Sequence, residues 1–146
     1  MGDGVFLALG IASAIVVVGW AAALTVIDVR QRRLPDPLTV PAAIGSVVGC
    51  VLAGPETLLA ALTWPVLYLL VALLVGGVGG GDLKLAVTVG ALSAAAGGIV
   101  GVLGAVALTG VLSAGTALVF RGRAHPHGPA MLAGCAATVV VTCGGV

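Results

Sequence analysis

Residues 85–120 carry no formal charge, and neither do residues 57–81 just before them. As a single helix at about 1.5 Å per residue, the longer run would extend roughly 54 Å, well past a hydrocarbon core of about 30 Å. It must therefore be two helices that turn back, and small residues cluster where the turn is expected, at Ala94-Ala95-Ala96-Gly97-Gly98. Uncharged runs at residues 4–27 and 38–54, and a last apolar stretch from Pro129, complete the pattern. With 60% of 146 residues apolar and 8% charged, there is more apolar surface than the core of a soluble domain of this length requires. The expected fold is all-α, a single membrane-embedded domain over residues 1–146. Its six transmembrane helices would lie near 4–27, 38–54, 57–77, 82–96, 99–120 and 129–145.

The cations test that count. Six spans put Arg30, Arg32, Arg33, Lys84, Arg121 and Arg123, all six basic residues, on one side of the membrane. By the positive-inside rule that side is the cytoplasm and both termini lie outside. A single span over 85–120 would carry Arg121 and Arg123 across. The first segment lacks a basic leader region and a small-residue cleavage site, so it reads as a helix that stays, not as a removed signal. A net charge of +1 without a basic stripe excludes nucleic acid as a partner and leaves membrane lipid. Gly45 with Gly49, and Gly97 with Gly101, have the spacing that lets helix backbones approach in lipid.

Several chemistries are excluded by what the motifs lack. Cys50, Cys135 and Cys143 sit in apolar segments without CxxC spacing and read as small buried hydrophobes. His125 and His127 have no further ligands beside them, so no metal or other cofactor is called for. With Arg121 and Arg123 they read as a solvated loop against anionic lipid. There is no Gly-x-Ser-x-Gly, no HExxH and no phosphate-binding loop.

The acids remain. A carboxylate inside the bilayer edge costs roughly 2.5–3.5 kcal/mol on insertion scales, so Asp82, between two uncharged runs, needs a reason. Gly79-Gly80-Gly81 before it would unwind the backbone, take positive φ and admit another chain segment. Six spans would bring Asp28, at the inner end of the first helix, and Asp82, at the inner start of the fourth, to similar depth on one face. Two carboxylates held close do not both ionise cheaply; one can activate a water while the other protonates a scissile carbonyl. Each also has a structural reading. Asp82 would cap its helix and Asp28 would pair with Arg30 or Arg32. Asp36, before Pro37, reads as an N-cap, and Asp3 and Glu56 as solvated outer-loop charges. Lys84 would tune an aspartate, bind a substrate carboxylate, or reach to the headgroups.

Together, Asp28-Val29-Arg30-Gln31-Arg32-Arg33-Leu34-Pro35-Asp36-Pro37-Leu38-Thr39 and Gly79-Gly80-Gly81-Asp82-Leu83-Lys84-Leu85 resemble the two aspartate motifs of type IV prepilin peptidases, the GxGD aspartyl proteases of prokaryotic membranes. His127-Gly128-Pro129-Ala130-Met131-Leu132-Ala133-Gly134 is similar to that family's Gly-Pro motif at the last helix. The resemblance implies that Asp28 and Asp82 form the catalytic dyad. Gly79, Gly81, Lys84, Pro35, Gly128 and Pro129 would support the site or contact substrate. The implied substrate is a prepilin or pseudopilin, cut at its leader on the cytoplasmic side of the bacterial inner membrane. The cysteine-bearing cytoplasmic insertion and the methylation module of larger members are missing, which implies the compact, peptidase-only form and speaks against N-methyltransferase activity. Two other readings stay open: a small proton-coupled transporter, and a catalytically inactive subunit of a pilus or secretion system.

Overall fold

The computed structural model describes residues 2–120 and 126–144, with side-chain surroundings from residue 8 onward. Arg121, Arg123 and His125, and the side chain of Asp3, lie outside the described residues. Five helices follow in order: α1 (Gly2–Gln31), α2 (Asp36–Ala53), α3 (Pro55–Leu74), α4 (Gly80–Val119) and α5 (Gly128–Gly144). Ala8–Gln31, Asp36–Ala53, Pro55–Leu74 and Gly80–Val119 are long and apolar enough to cross a membrane, and Gly128–Gly144 is apolar but shorter. The chain is an all-α membrane protein.

α4 is not straight. Gly97 (φ −144°, ψ 21°) and Gly98 (φ 57°, ψ −147°) leave helical geometry and divide it into arms over residues 80–96 and 99–119. A Cβ placed on Gly101 would lie 2.6 Å from the Ser93 carbonyl oxygen. Residues eight apart on a straight helix are separated by about 12 Å, so the two arms fold sharply back on each other. The break falls at the end of the Ala94–Gly98 cluster, and its physical reason is Gly98, whose positive φ a residue with a Cβ rarely adopts.

The bundle is small-inside and large-outside. Ala60, Ala61, Ala86, Ala91, Ala94 and Ala105 are buried around Trp64, Leu85, Val89 and Met131, while Ile15, Val16, Leu52, Leu74 and Val75 face outward. Lipid solvates large apolar side chains as well as a protein interior does, so close backbone packing by small residues holds such a bundle together. α5 runs antiparallel to the second arm of α4. Thr109 Oγ1 donates to the Ala130 carbonyl at 3.3 Å, and a Cβ on Gly134 would sit 2.7 Å from the Ala105 carbonyl oxygen. A Cβ on Gly101 would lie 3.7 Å from Thr138 Cγ2, and one on Gly97 3.0 Å from Thr142 Cγ2. α3 packs on the first arm through Gly90, where an added Cβ would meet the Ala61 carbonyl oxygen at 2.5 Å. α1 is the most exposed helix, tied to α2 by the Trp20 indole N–H donating to the Leu38 carbonyl at 2.9 Å.

Four expectations are corrected here. Gly45 and Gly49 meet nothing within 4 Å, and the glycines that do bring backbones together are Gly90, Gly101 and Gly134. Cys50 and Cys135 are buried, but Cys143 is exposed near the end of α5. Glu56 is exposed, as a solvated charge should be, but stands in the first turn of α3 and not in a loop. Asp36 is not an N-cap: α2 starts at Asp36, Pro35 holds the cap position in extended conformation, and no side chain caps the helix. The Pro35 carbonyl instead accepts from the Leu38 and Thr39 amides, both at 3.1 Å.

Candidate active site

α1 carries Leu24 and Asp28 on one face, four residues apart, and both are buried, Asp28 to 6% exposure. The helix stops just beyond. Arg32 takes φ 52°, a left-handed conformation unusual for a residue with a side chain, and its N–H donates to the Asp28 carbonyl at 2.7 Å. An acid at a helix C-terminus faces the negative end of that helix's dipole. Here α5 compensates. Its first residue, Gly128, donates its N–H to Asp28 Oδ2 at 3.1 Å, one of the helix-start amides that have no partner within their own helix. Residue 128 has to be glycine for this approach, since a Cβ there would stand 2.7 Å from the same oxygen. Among the described residues the one ion pair is Lys84 with Asp36, so Asp28 is not neutralised by Arg30 or Arg32.

Asp82 arrives from α4. The chain leaves α3 through Gly76 (φ 78°) and Gly77 (φ 83°), runs extended through Gly79 (φ −71°, ψ 146°) and enters the helix at Gly80. The positive-φ residues are thus Gly76 and Gly77, not the triple glycine expected to supply them. Asp82 is the third helical residue, half-buried, with its Oδ2 3.4 Å from the Cβ position of Gly79. Its place in the first turn suits the positive end of the dipole, and Gly79, not Asp82, holds the cap position. The triple glycine serves close approach instead: a Cβ on Gly81 would lie 3.0 Å from Leu34 Cβ. Leu34 also comes within 3.6 Å of the Cβ position on Gly128. One leucine is wedged between the two glycines that flank the acids.

Asp28 and Asp82 line one cavity of about 460 Å³, together with Arg32, Arg33, Gly79 and His127. Two acidic and two basic residues thus border one space large enough to hold water. Such an arrangement can abstract a proton from water on one side and deliver one to a carbonyl oxygen on the other. Among the described residues no group of three or more His, Cys, Asp or Glu converges as metal ligands would.

The remaining site candidates divide. Gly79 and Gly81 line the cavity, Gly128 holds Asp28, and Pro35 takes the cap position before α2, just after the Leu34 wedge. Pro129 is the second residue of α5, where its missing N–H costs nothing. Lys84 points elsewhere: its Nζ lies 2.6 Å from Asp36 Oδ1, both side chains largely exposed, and it is not among the cavity residues. His127 departs from the solvated-loop expectation. It is half-buried, its Nε2 is 2.7 Å from Tyr68 Oη, and its Nδ1 is 2.9 Å from Ser113 Oγ. Leu34, Tyr68 and Ser113 were not legible as site residues. The faint signals were a sole tyrosine in an apolar helix and a histidine directly before Gly128-Pro129.

A search of curated proteins and a search of solved structures each found no match. A family model did match: the type IV leader peptidase family, over residues 15–114. That span takes in both aspartates and the glycine stretch and ends before His127, and because it covers most of the protein, the chain belongs to the type IV leader peptidase family.

Proposed function

We propose that this protein is an intramembrane aspartyl endopeptidase that removes the leader of a prepilin or pilin-like protein, with Asp28 and Asp82 as its catalytic pair. The observation that carries the reading is the shared cavity. Two acids from distant parts of the chain line the same space, and the glycine at 128 admits the carboxylate of one of them, Asp28. Hydrolysis proceeds by general acid-base catalysis: one carboxylate takes a proton from water as the oxygen attacks the scissile carbonyl and passes it to the leaving amine, while the other protonates the carbonyl oxygen and takes that proton back as the tetrahedral intermediate collapses. No covalent intermediate is needed. The substrate's own helix lies in lipid, and its unwound end reaches the cavity from the membrane edge, where irregular backbone is tolerated because it borders water.

In this reading the two arms of α4 cross separately, making six spans with both termini outside and the aspartates at the cytoplasmic side of a bacterial inner membrane. The cation distribution and the Gly97-Gly98 reversal support it. The test is leader cleavage by the purified protein in liposomes, followed by mass spectrometry of a candidate prepilin. Asp28→Asn and Asp82→Asn are expected to abolish product while still inserting in the membrane. Full activity in either variant would remove the dyad.

A further inference from the structure

We infer that His127 is a positioning residue for Asp28: bonded through both ring nitrogens, it pins the turn that presents the Gly128 N–H to the Asp28 carboxylate. The inference rests on the proposed catalytic role of Asp28, and it concerns a residue beyond the stretch that matches the family model.

The geometry is a three-element clamp. Tyr68 comes from α3, Ser113 from the second arm of α4, and His127 directly precedes α5. The imidazole spans them, with 2.7 Å to Tyr68 Oη and 2.9 Å to Ser113 Oγ, and lies on the tyrosine ring at a centroid distance of 5.8 Å. One residue on, the Gly128 amide makes its 3.1 Å bond to Asp28 Oδ2. Three backbone bonds at most separate the clamped residue from the donor, so little slack is left between them. Both partners of the ring are hydroxyls, which donate or accept according to need. The ring therefore keeps both bonds in either neutral tautomer and as the cation, and the clamp survives any change of protonation in the cavity. A carbonyl in either place would have required a proton on the nitrogen facing it.

The location adds a second reason. His127 lines the aspartate cavity and also an adjoining one of about 440 Å³ that includes Tyr68, Gly77 and Asp82. The charged or titratable groups facing the two spaces, among the described residues, are Asp28, Asp82, Arg32, Arg33 and Tyr68. The histidine stands on the boundary of both. A side chain needed only to fill space there would not require polar partners at both ends, and a merely solvated one would not find them on two different helices.

Two readouts test this, one of which needs no substrate. In the full-length protein labelled with ¹⁵N, the Gly128 amide proton should resonate downfield and move upfield in Asp28→Asn. It should move the same way in His127→Phe, and part of the way in Tyr68→Phe and Ser113→Ala, which remove one bond each and disturb packing least. An unmoved Gly128 resonance in all three clamp variants overturns the inference, whatever the protein hydrolyses. The second readout is cleavage kinetics. His127→Phe should lower kcat on the order of 100-fold with KM changed less than about twofold, the signature of a misplaced group, not of lost binding. His127→Gln, which can still bond one hydroxyl, should recover part of the loss. Equal loss in the Phe and Gln variants, or loss confined to KM, counts against positioning. Activity surviving Asp28→Asn would instead overturn the proposed dyad, and leaves the resonance test standing.

Discussion

Replacing Gly128 with Ala puts one methyl group into the closest contact of the site. The new Cβ would begin 2.7 Å from Asp28 Oδ2 and 3.6 Å from Leu34 Cδ2. A carbon needs about 3.3 Å from an oxygen, so the carboxylate must retreat by about 0.6 Å, the difference between 3.3 and 2.7. Taken along the bond, that stretches the 3.1 Å contact with the Gly128 N–H to about 3.7 Å, too long for a hydrogen bond. A buried acid then loses its donor, a loss of about 1.5–3 kcal/mol for a charged partner. Stability should fall by that amount in SDS-titration unfolding from mixed micelles, and kcat for leader cleavage should fall on the order of 100-fold, as for other sub-ångström to ångström misplacements of a reacting group. Gly104→Ala is the control, because nothing lies within 4 Å of a Cβ there. The second check is a double-mutant cycle: with Asp28→Ala in place the methyl has room, so Gly128→Ala should cost less by about 1–2 kcal/mol. If Gly128→Ala matches Gly104→Ala in both stability and rate, the contact with Asp28 does not organise the site.

Gly90→Ala should destabilise the bundle by about 1–3 kcal/mol, because its Cβ would meet the Ala61 backbone oxygen at 2.5 Å, whereas Gly49→Ala, with an open Cβ position, should not destabilise it; the same unfolding titration compares them. Gly98→Ala meets no atoms either, but must hold φ 57° and ψ −147°; a cost of about 1–3 kcal/mol is expected from backbone strain alone, and a neutral result would mean the reversal is not there. Lys84→Ala should change stability by less than about 1 kcal/mol, since its bridge to Asp36 is exposed, and the change should shrink with added salt. Cys143 is exposed near the end of α5, while Cys50 and Cys135 are buried. In right-side-out vesicles an impermeant maleimide should label Cys143 alone, and labelling only in inverted vesicles would reverse the proposed topology.

Charge spacing alone determined that this chain lives in a membrane, that it is helical, and that residues 85–120 must break. A slab of about 30 Å leaves little other use for such runs, and the one pair of consecutive glycines in the longer run is Gly97-Gly98. The acids were legible for the same reason: burying a carboxylate is costly, so Asp28 and Asp82 stood out against an uncharged background. Which atoms hold them was not legible. Glycine has no side chain, so its spacing does not tell whether it turns the backbone, as Gly76 and Gly77 do, admits a neighbour, as Gly81, Gly90 and Gly128 do, or simply faces outward, as Gly49 does. Lys84 lies two residues from Asp82 in the chain yet bonds Asp36, because successive helical residues point about 100° apart and the α2 start is what stands opposite. The Tyr68, Ser113 and His127 clamp joins three separate segments, and only the folding-back of α4 puts its second arm where Ser113 can reach His127. Local patterns report the solvent each residue needs; contacts between distant segments depend on how the helices cross, and that was settled only in three dimensions.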